Sequence, residues 1–577
     1  MSKKTVKLIC LLAALFCLVS CSKVDNGGTV DESVPAESFA PSGEINMAFV
    51  QNDTLSPYEA KTKLNLELGR LMYDGLVKLG NGFEPSYVLA SDISLDGTVC
   101  VVTINPAAKF TDGNAVTADD VVYSVSAAKA ASQSKYSSKL ENVSSCTARD
   151  ALTVVFNLSH TDEYFVRLLD FPIFEKETEK QVNSDNKSVP PIGSGRYVFG
   201  QQNDKFYLEA NQNWIGGHVN IAKINLVNLP DDDAVNHGTA VGSVDIYYSD
   251  LSSNDIPTMK GTSLSVTLSN LVYLGVNTSS GILSDGDLRR AVSAAIDRED
   301  IKNSVYFGYA EPAKGLFHSD ISELSGLQTI DTKRDTDKAQ GYLKSAGYEK
   351  NQITGLATNG KEKTIKLSLV YYSENSARRL LATKISEHLK SVGIETELKG
   401  LSWDEYISAI RYHSYDLYIA EIKIPDNLDA YSLATAGGII ELKNGTAVSE
   451  TSSADSGQGS DQGGSGDSSG SATDGSGQST GSGDGTSADA DTAGNDRSGE
   501  YVSLEKALYK LHSGNGSVAE VLSCLNEQMS IIPICHRKGL VIYSDKISEG
   551  LSPTAGDPFA GLENCTDLSK CFSETVC

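Results

Sequence analysis

The stretch IKLSLVYYSENSARRLLATKISEHLKSVGIETELKGLSWDEYISAIRYHSYDLYIAEI, residues 365–422, decides the fold class. Five of its first seven residues, IKLSLVY, are apolar or aromatic and favour β-structure, which predicts a strand. Residues 377–392 then follow an amphipathic helical pattern, and Gly393 provides the residue that ends such a helix. The first half of this stretch therefore predicts a strand followed by a helix.

The second half of the same stretch repeats that order. Residues 394–401 predict a strand, and Ser402 with Glu405 forms a capping box that begins a second helix. Residues 415–422 predict a third strand. Because successive parallel strands need right-handed helical crossovers, this order predicts an α/β fold with a mainly parallel, doubly wound sheet.

Similar patterns flank this unit on both sides. A capping Thr117 followed by Asp119 and Asp120 predicts a helix start. Further strands are predicted at 45–50, 99–104, 152–158, 531–534 and 540–543, and further helices at 64–77 and 517–529.

Length and charge set the broad class. The chain has 577 residues, which suits two or three domains, and a formal net charge of −26, which excludes the basic face that nucleic-acid binding needs. Part of that acid lies in residues 444–500, a tract of Gly, Ser, Asp, Thr and Ala without aromatic residues. Such a tract cannot bury enough apolar surface to order itself, so we expect a disordered insertion.

The first twenty residues carry the features of a secretion signal. Lys3, Lys4 and Lys7 precede an apolar run at 8–19 that is too short to span a bilayer, and Cys21 follows. This order resembles the bacterial lipobox, which implies a signal peptide at 1–20, a lipid on Cys21, a flexible tether at 21–43 and attachment to the outer face of the cell membrane.

Seven cysteines would remain after such processing. They are Cys100, Cys146, Cys524, Cys535, Cys565, Cys571 and Cys577. An odd number leaves at least one unpaired within the chain. One or two disulfides near the C-terminus and a set of free thiols are both consistent with these positions. The spacing fits no zinc site, so we expect neither a metal nor a cofactor.

Four motifs in order carry a family resemblance. They are FTDG with VTADDVVYS (110–113 and 116–124), PIGSGRYV (191–198), LEANQNW (208–214) and LRRAVSAAIDREDI (288–301). Together they resemble bacterial extracellular solute-binding protein family 5, the peptide- and nickel-binding receptors of ABC importers. We expect the motifs to act in the scaffold: in the last one, Leu288, Val292 and Ile296 would face a core and Arg298 would lie outside.

The resemblance implies a two-lobed, periplasmic-binding-protein-like fold of type II, with mixed, mostly parallel sheets and a hinge between the lobes. The expected parts are a first lobe at 44–270 with an extra subdomain at about 58–170, a second lobe at 271–443 continued at 501–516, and a return to the first lobe at 517–577. The chain would cross between lobes near 271–277 and near 511–517.

The same resemblance points to a ligand site after the third strand. In peptide receptors of this family an Asp at this place pairs with the ligand α-ammonium, and Asp426 matches that position. Asp429, Tyr431 and Trp403 are further candidates, since open α/β sheets bind ligands at strand ends. Lys423 stands where the family has Trp, and it could itself neutralise Asp426.

These features imply a monomeric receptor that captures dipeptides or oligopeptides and delivers them to an ABC permease. The motifs of hydrolases and phosphate-binding enzymes are lacking in the sequence, so we expect no catalysis. Two alternatives remain open. One is a receptor of the same fold for a nickel chelate, a sugar or another small solute, or a peptide sensor. The other is a surface adhesion or structural lipoprotein.

Overall fold

The computed structural model describes residues 41–182, 189–252, 259–279, 281–433 and 503–569. The predicted signal peptide, Cys21, nearly all of the tether, the 444–500 insertion, Cys571 and Cys577 lie outside the described residues. The described part forms a single compact unit. None of its helices is both long and apolar enough to cross a bilayer.

The strands are β1 (Glu44–Phe49), β2 (Val77–Leu79), β3 (Pro85–Tyr87), β4 (Ala90–Asp96), β5 (Val99–Ile104), β6 (Val143–Asp150), β7 (Thr153–Leu158), β8 (Tyr197–Gln202), β9 (Lys205–Ala210), β10 (Lys223–Asn228), β11 (Ile246–Ser249), β12 (Thr262–Val276), β13 (Ala310–Pro312), β14 (Tyr348–Lys350), β15 (Ala357–Asn359), β16 (Lys366–Tyr372), β17 (Glu395–Leu401), β18 (Leu417–Lys423) and β19 (Ile531–Tyr543). The α-helices are α1 (Lys63–Met72), α2 (Ala118–Ala130), α3 (Lys135–Lys139), α4 (Asp232–Ala240), α5 (Gly286–Ala295), α6 (Arg298–Ser304), α7 (Thr336–Ser345), α8 (Ser376–Ser391), α9 (Trp403–Arg411), α10 (Leu504–His512) and α11 (Val518–Gln528).

The unit predicted from residues 365–422 forms as expected. β16 lies between β17 and β18 and is parallel to both, with α8 and α9 as the crossovers. The capping box is present: the Ser402 hydroxyl donates to the Glu405 carboxylate at 2.8 Å, and the Ser402 N–H does so at 3.1 Å. Buried apolar side chains cover both faces of β16 and β18, which explains the apolar runs in these two strands, whereas β17 is a polar edge strand.

The other lobe contains two larger sheets that share one apolar core, besides the short hairpin β2–β3. β1 is parallel to β10 and β11, and the hairpin β8–β9 extends this sheet at its edge. A separate antiparallel sheet, in the order β4-β5-β7-β6, supplies the inserted part of this lobe and packs into the same core. The predicted cap of α2 forms, because the Thr117 hydroxyl donates to the Asp120 carboxylate at 2.6 Å.

Two long strands join the lobes. The first half of β12 pairs with the second half of β19 beside β11, and the second half of β12 pairs with the first half of β19 beside β18. The pairing register shifts between Thr267 and Leu271, where the strands leave one core and enter the other. The fold is therefore a two-lobed α/β structure on one continuous eleven-stranded sheet.

Three sequence expectations need correction here. Antiparallel pairs outnumber parallel ones, because β12, β19 and the hairpins run antiparallel to their neighbours. The strands predicted at 531–534 and 540–543 are one strand, β19, whose polar middle is buried. The return between lobes follows β19 near residues 536–538 instead of 511–517, since α10 and α11 pack against the second-lobe core.

Arg298 is also placed differently from the prediction that it lies outside. Its side chain is 1% exposed, and its guanidinium donates to the carbonyls of Pro533 at 2.8 Å and of Ser293 and Asp331 at 3.2 Å. Leu288 is buried in the same region, as predicted. The motif at 288–301 thus acts in the scaffold, and its arginine ties α5 and α6 to β19.

Candidate functional site

The candidate site lies where helix α3 of the first lobe meets the segment after β18 of the second lobe. Ser134 caps α3 by accepting the Tyr136 N–H at 3.3 Å, and the helix ends at Lys139. On the other side, β18 ends at Lys423, and Pro425 cannot continue its ladder. We call the space between these two segments the cleft.

An ion pair bridges the lobes at this point. The Lys139 ammonium lies 2.7 Å from an Asp426 carboxylate oxygen of the second lobe and 2.5 Å from Asp170 of the first. All three side chains are largely buried. Burial alone would lower the pKa of Lys139, but Asp170 and Asp426 more than offset this and raise it. Burial likewise opposes ionisation of Asp426, yet Lys139 and then Lys423 hold its pKa below the usual range.

Further charged groups surround this pair. Glu67 accepts from Arg70 at 2.9 Å and lies 3.7 Å from the Lys135 ammonium. Burial lowers the pKa of Lys135 to about 8, although Glu67 opposes this. These groups form the cleft charge cluster, which consists of Glu67, Arg70, Lys135, Lys139, Asp170, Lys423 and Asp426.

Lys423 differs from its neighbours in the cluster because its side chain is exposed. The surrounding protein still removes part of the water around its ammonium, and this desolvation lowers the pKa of Lys423. The nearby Asp426 only partly offsets the lowering. The sequence suggested that Lys423 neutralises Asp426, but the direct partner of that carboxylate is Lys139.

A second set of contacts joins the lobes beside the cluster. Asn427 donates to the Asp162 carboxylate at 2.7 Å across the lobes. The predicted candidate Asp429 is held by the His512 ring, whose Nδ1 lies 2.7 Å from the carboxylate. Tyr431 stacks on that ring at 4.9 Å, and His160 of the first lobe approaches it at 4.5 Å.

Trp403 lies away from these contacts, in the second lobe. Its ring meets the edge of Tyr372 at 5.4 Å and stacks on Tyr406 at 5.7 Å. The structure thus brings Lys423, Asp426, Asp429 and Tyr431 to the cleft and places Trp403 in packing within one lobe.

Sequence reasoning missed the five first-lobe members of the cleft charge cluster, which are Glu67, Arg70, Lys135, Lys139 and Asp170. Each is a charged residue in or beside a helix, and its sequence pattern is that of an ordinary solvent-exposed residue. Only the approach of the two lobes shows their role. The one local signal was the short element at 135–139, in which two lysines frame a Tyr that is 4% exposed.

Two cavities accompany these contacts. A groove of about 590 Å³ lies in the first lobe alone, and its walls include Thr111, Ile192 and Tyr197. A much smaller cavity of about 10 Å³ lies between the lobes, beside Asp162 and His512. The lobes therefore meet closely at the candidate site.

Neither a metal site nor a disulfide is formed by the described residues. In that part of the chain, no group of three or more His, Cys, Asp and Glu side chains could hold a metal. No disulfide joins any of the described cysteines, which are Cys100, Cys146, Cys524, Cys535 and Cys565. Cys100 and Cys146 both pair with Phe156, from opposite sides of β7, so a full strand separates them.

A two-lobed α/β fold with a cleft between the lobes is the architecture of the solute-binding proteins. The family model described as "Bacterial extracellular solute-binding proteins, family 5 Middle" matches residues 83–437, so the chain belongs to this family. The resemblance drawn from the four motifs is thereby confirmed.

Individual relatives agree with this assignment. The chain is 26% identical over 399 residues to the oligopeptide-binding protein AppA of Bacillus subtilis, covering 65% of this chain and 71% of that protein. It is 23% identical over 431 residues to the periplasmic murein peptide-binding protein MppA of Escherichia coli, covering 68% and 78%. The unliganded open form of the MppA murein tripeptide-binding protein superposes with a TM-score of 0.66 at 18% identity, over 92% of this chain and 98% of that one.

Proposed function

We propose that this protein is the receptor of an ABC importer and captures peptides or peptide-like solutes in the cleft. The observation that carries the proposal is the ion pair between Lys139 and Asp426, which joins the two lobes within the cleft charge cluster. Opposite charges on facing walls favour the closed state, and a solute bound between the walls adds contacts that only that state offers.

The relatives support peptides as the solute class, since two of them are described as oligopeptide- and murein peptide-binding proteins. A peptide carries an ammonium, a carboxylate and a row of amides, which suit a cleft with both signs of charge. Delivery to a membrane permease follows from the role of the family in transport. We propose no catalytic activity.

The direct test is to identify the solute that the cell supplies. The full-length protein is purified without denaturation, and its intact mass is recorded before and after unfolding. We expect adducts of peptide mass that unfolding releases and that fragment as peptides. Released sugars or metal chelates without peptide would contradict the proposed solute class.

We also propose that the protein is held at the outer membrane face by a lipid on Cys21. The reason is the order of cationic, apolar and small residues before this cysteine. Cys21→Ala should release the protein from the membrane fraction or block removal of the signal peptide. Unchanged retention and unchanged processing would contradict this anchor.

A further inference from the structure

Lys423 is the one cation of the cleft charge cluster that lies outside the ion pairs of that cluster. This side chain is exposed at the end of β18, and no carboxylate of the described residues forms an ion pair with it. The charges that act on it most strongly are Asp426, Lys139, Lys135 and Arg70, and the last three belong to the opposite lobe. Glu67 of that opposite lobe also interacts with it. Lys423 therefore lines the cleft and faces a wall that is rich in positive charge.

The remaining charges of the cluster are matched. Glu67 is shared by Arg70 and Lys135, and Asp170 and Asp426 share Lys139. The cluster holds four cations and three carboxylates, so one positive charge is left over. Arg70, Lys135 and Lys139 each take part in an ion pair, whereas Lys423 takes part in none of these ion pairs and is therefore the cation best placed to take up a solute anion.

Resting on the proposed function, we infer that Lys423 binds the terminal carboxylate of the peptide solute and that the cleft does not require a free α-amine. The ammonium site on Asp426 is already filled, by Lys139. A carboxylate on Lys423 would complete the charge balance of the closed cleft, and such charge-assisted hydrogen bonds are among the strong ones.

A solute ammonium on Asp426 would have the opposite effect. It would displace Lys139, which Asp170 and Asp426 share, from Asp426, and it would add a fifth positive charge to the cluster. Like charges repel, and low-dielectric surroundings strengthen the repulsion. The geometry thus favours solutes that bring an anion to this point.

The inference is tested with one set of short peptides in three chemical forms. Four-residue peptides of Ala, Leu, Phe and Ser are made free, N-acetylated or C-amidated, and their affinity for the full-length protein is measured by calorimetry. We expect acetylation to change Kd less than about threefold and amidation to weaken binding at least about tenfold, which is about 1.4 kcal/mol. Binding of all forms except the acetylated one would overturn the inference while leaving the proposed function in place. If no form binds, both are overturned.

Variants separate the role of Lys423 from general effects. Lys423→Met should bind free and amidated peptides equally, because the group that distinguishes them is gone. Lys390→Met, at an exposed position on α8, should keep the preference of the wild type. Lys139→Met should acquire a preference for free over acetylated peptides, since it releases Asp426. A persistent preference for the free carboxylate in Lys423→Met would overturn the inference.

Discussion

Lys139 and Asp426 lie 287 positions apart in the chain, in different lobes, and their charged groups are 2.7 Å apart. This contact places a fixed ammonium on the one acidic residue for which the family resemblance implies an ammonium partner. The contact also couples the closure of the lobes to this ion pair, because opening the lobes would break the pair and would leave Asp426 either hydrated or unpaired.

The first prediction concerns this bridge. Lys139→Met removes the cation that the buried Asp170 and Asp426 share, and breaking a buried pair costs about 3–5 kcal/mol. Adding Asp426→Asn should recover part of this loss, with a coupling of about 1 kcal/mol or more, because one uncompensated charge is removed. The measurement is the free energy of unfolding in urea for ligand-free protein.

The matched control is an exposed lysine in an ion pair. Lys176 lies 3.5 Å from Asp119, and their side chains are 46% and 66% exposed. Lys176→Met should change the free energy of unfolding by less than about 0.5 kcal/mol. Equal effects at Lys139 and Lys176 would show that the bridge adds nothing to stability.

The second prediction concerns Arg298 of the fourth motif. Its guanidinium is buried without a carboxylate and is held by backbone carbonyls, and burial lowers its pKa to about 10. Lysine cannot reproduce the planar set of donors, so Arg298→Lys should leave carbonyls unpaired and cost about 2 kcal/mol or more. Arg411→Lys, at an exposed position in α9, serves as the control and should be nearly neutral. Equal melting temperatures of the two variants would contradict the scaffold role.

The third prediction concerns acid stability and His536. This side chain is 1% exposed in the middle of β19, and burial, with the nearby His318, lowers its pKa to about 3. An unfolded histidine titrates near 6.5, so between pH 6.5 and 3 the unfolded state binds more protons. The free energy of unfolding should therefore decrease as the pH is lowered through this window, by up to about 1.4 kcal/mol per pH unit from this residue.

His536→Leu removes that titration, so its free energy of unfolding should depend less steeply on pH between 6.5 and 4 than that of the wild type. His237→Leu, at an exposed position in α4, should keep the slope of the wild type. Parallel curves for wild type and His536→Leu would mean that acid acts through other groups.

The sequence was sufficient where local patterns and packing agree. Residues 365–422 gave the right strands and helices because apolar periodicity, Gly393 and the capping box all specify the same elements. The sequence predicted two short strands where the structure has the single strand β19. The reason is that the middle of β19, Cys535-His536-Arg537-Lys538-Gly539, is unusually polar for a buried strand. Its burial arises only from the two cores that it connects and from Glu421, which accepts from Arg537 at 2.6 Å.

The sequence pointed to only one side of the candidate site. The family resemblance indicated Asp426, and its neighbours Asp429 and Tyr431 follow the same predicted strand, so only the second-lobe side was proposed from the sequence. The first-lobe wall comes from α1, α3 and Asp170, whose charges have no pattern that distinguishes them from surface charges. Their function depends on a contact between distant segments, which a single sequence does not encode locally.

The central claim is that the solute binds between the lobes, and hydrogen–deuterium exchange of the full-length protein with and without its co-purified solute tests it most directly. We predict that bound solute slows exchange on both walls, at residues 135–139 of the first lobe and 423–431 of the second. The groove lined by Thr111, Ile192 and Tyr197 should exchange equally in both states. Protection confined to that groove, or to one lobe alone, would contradict the claim.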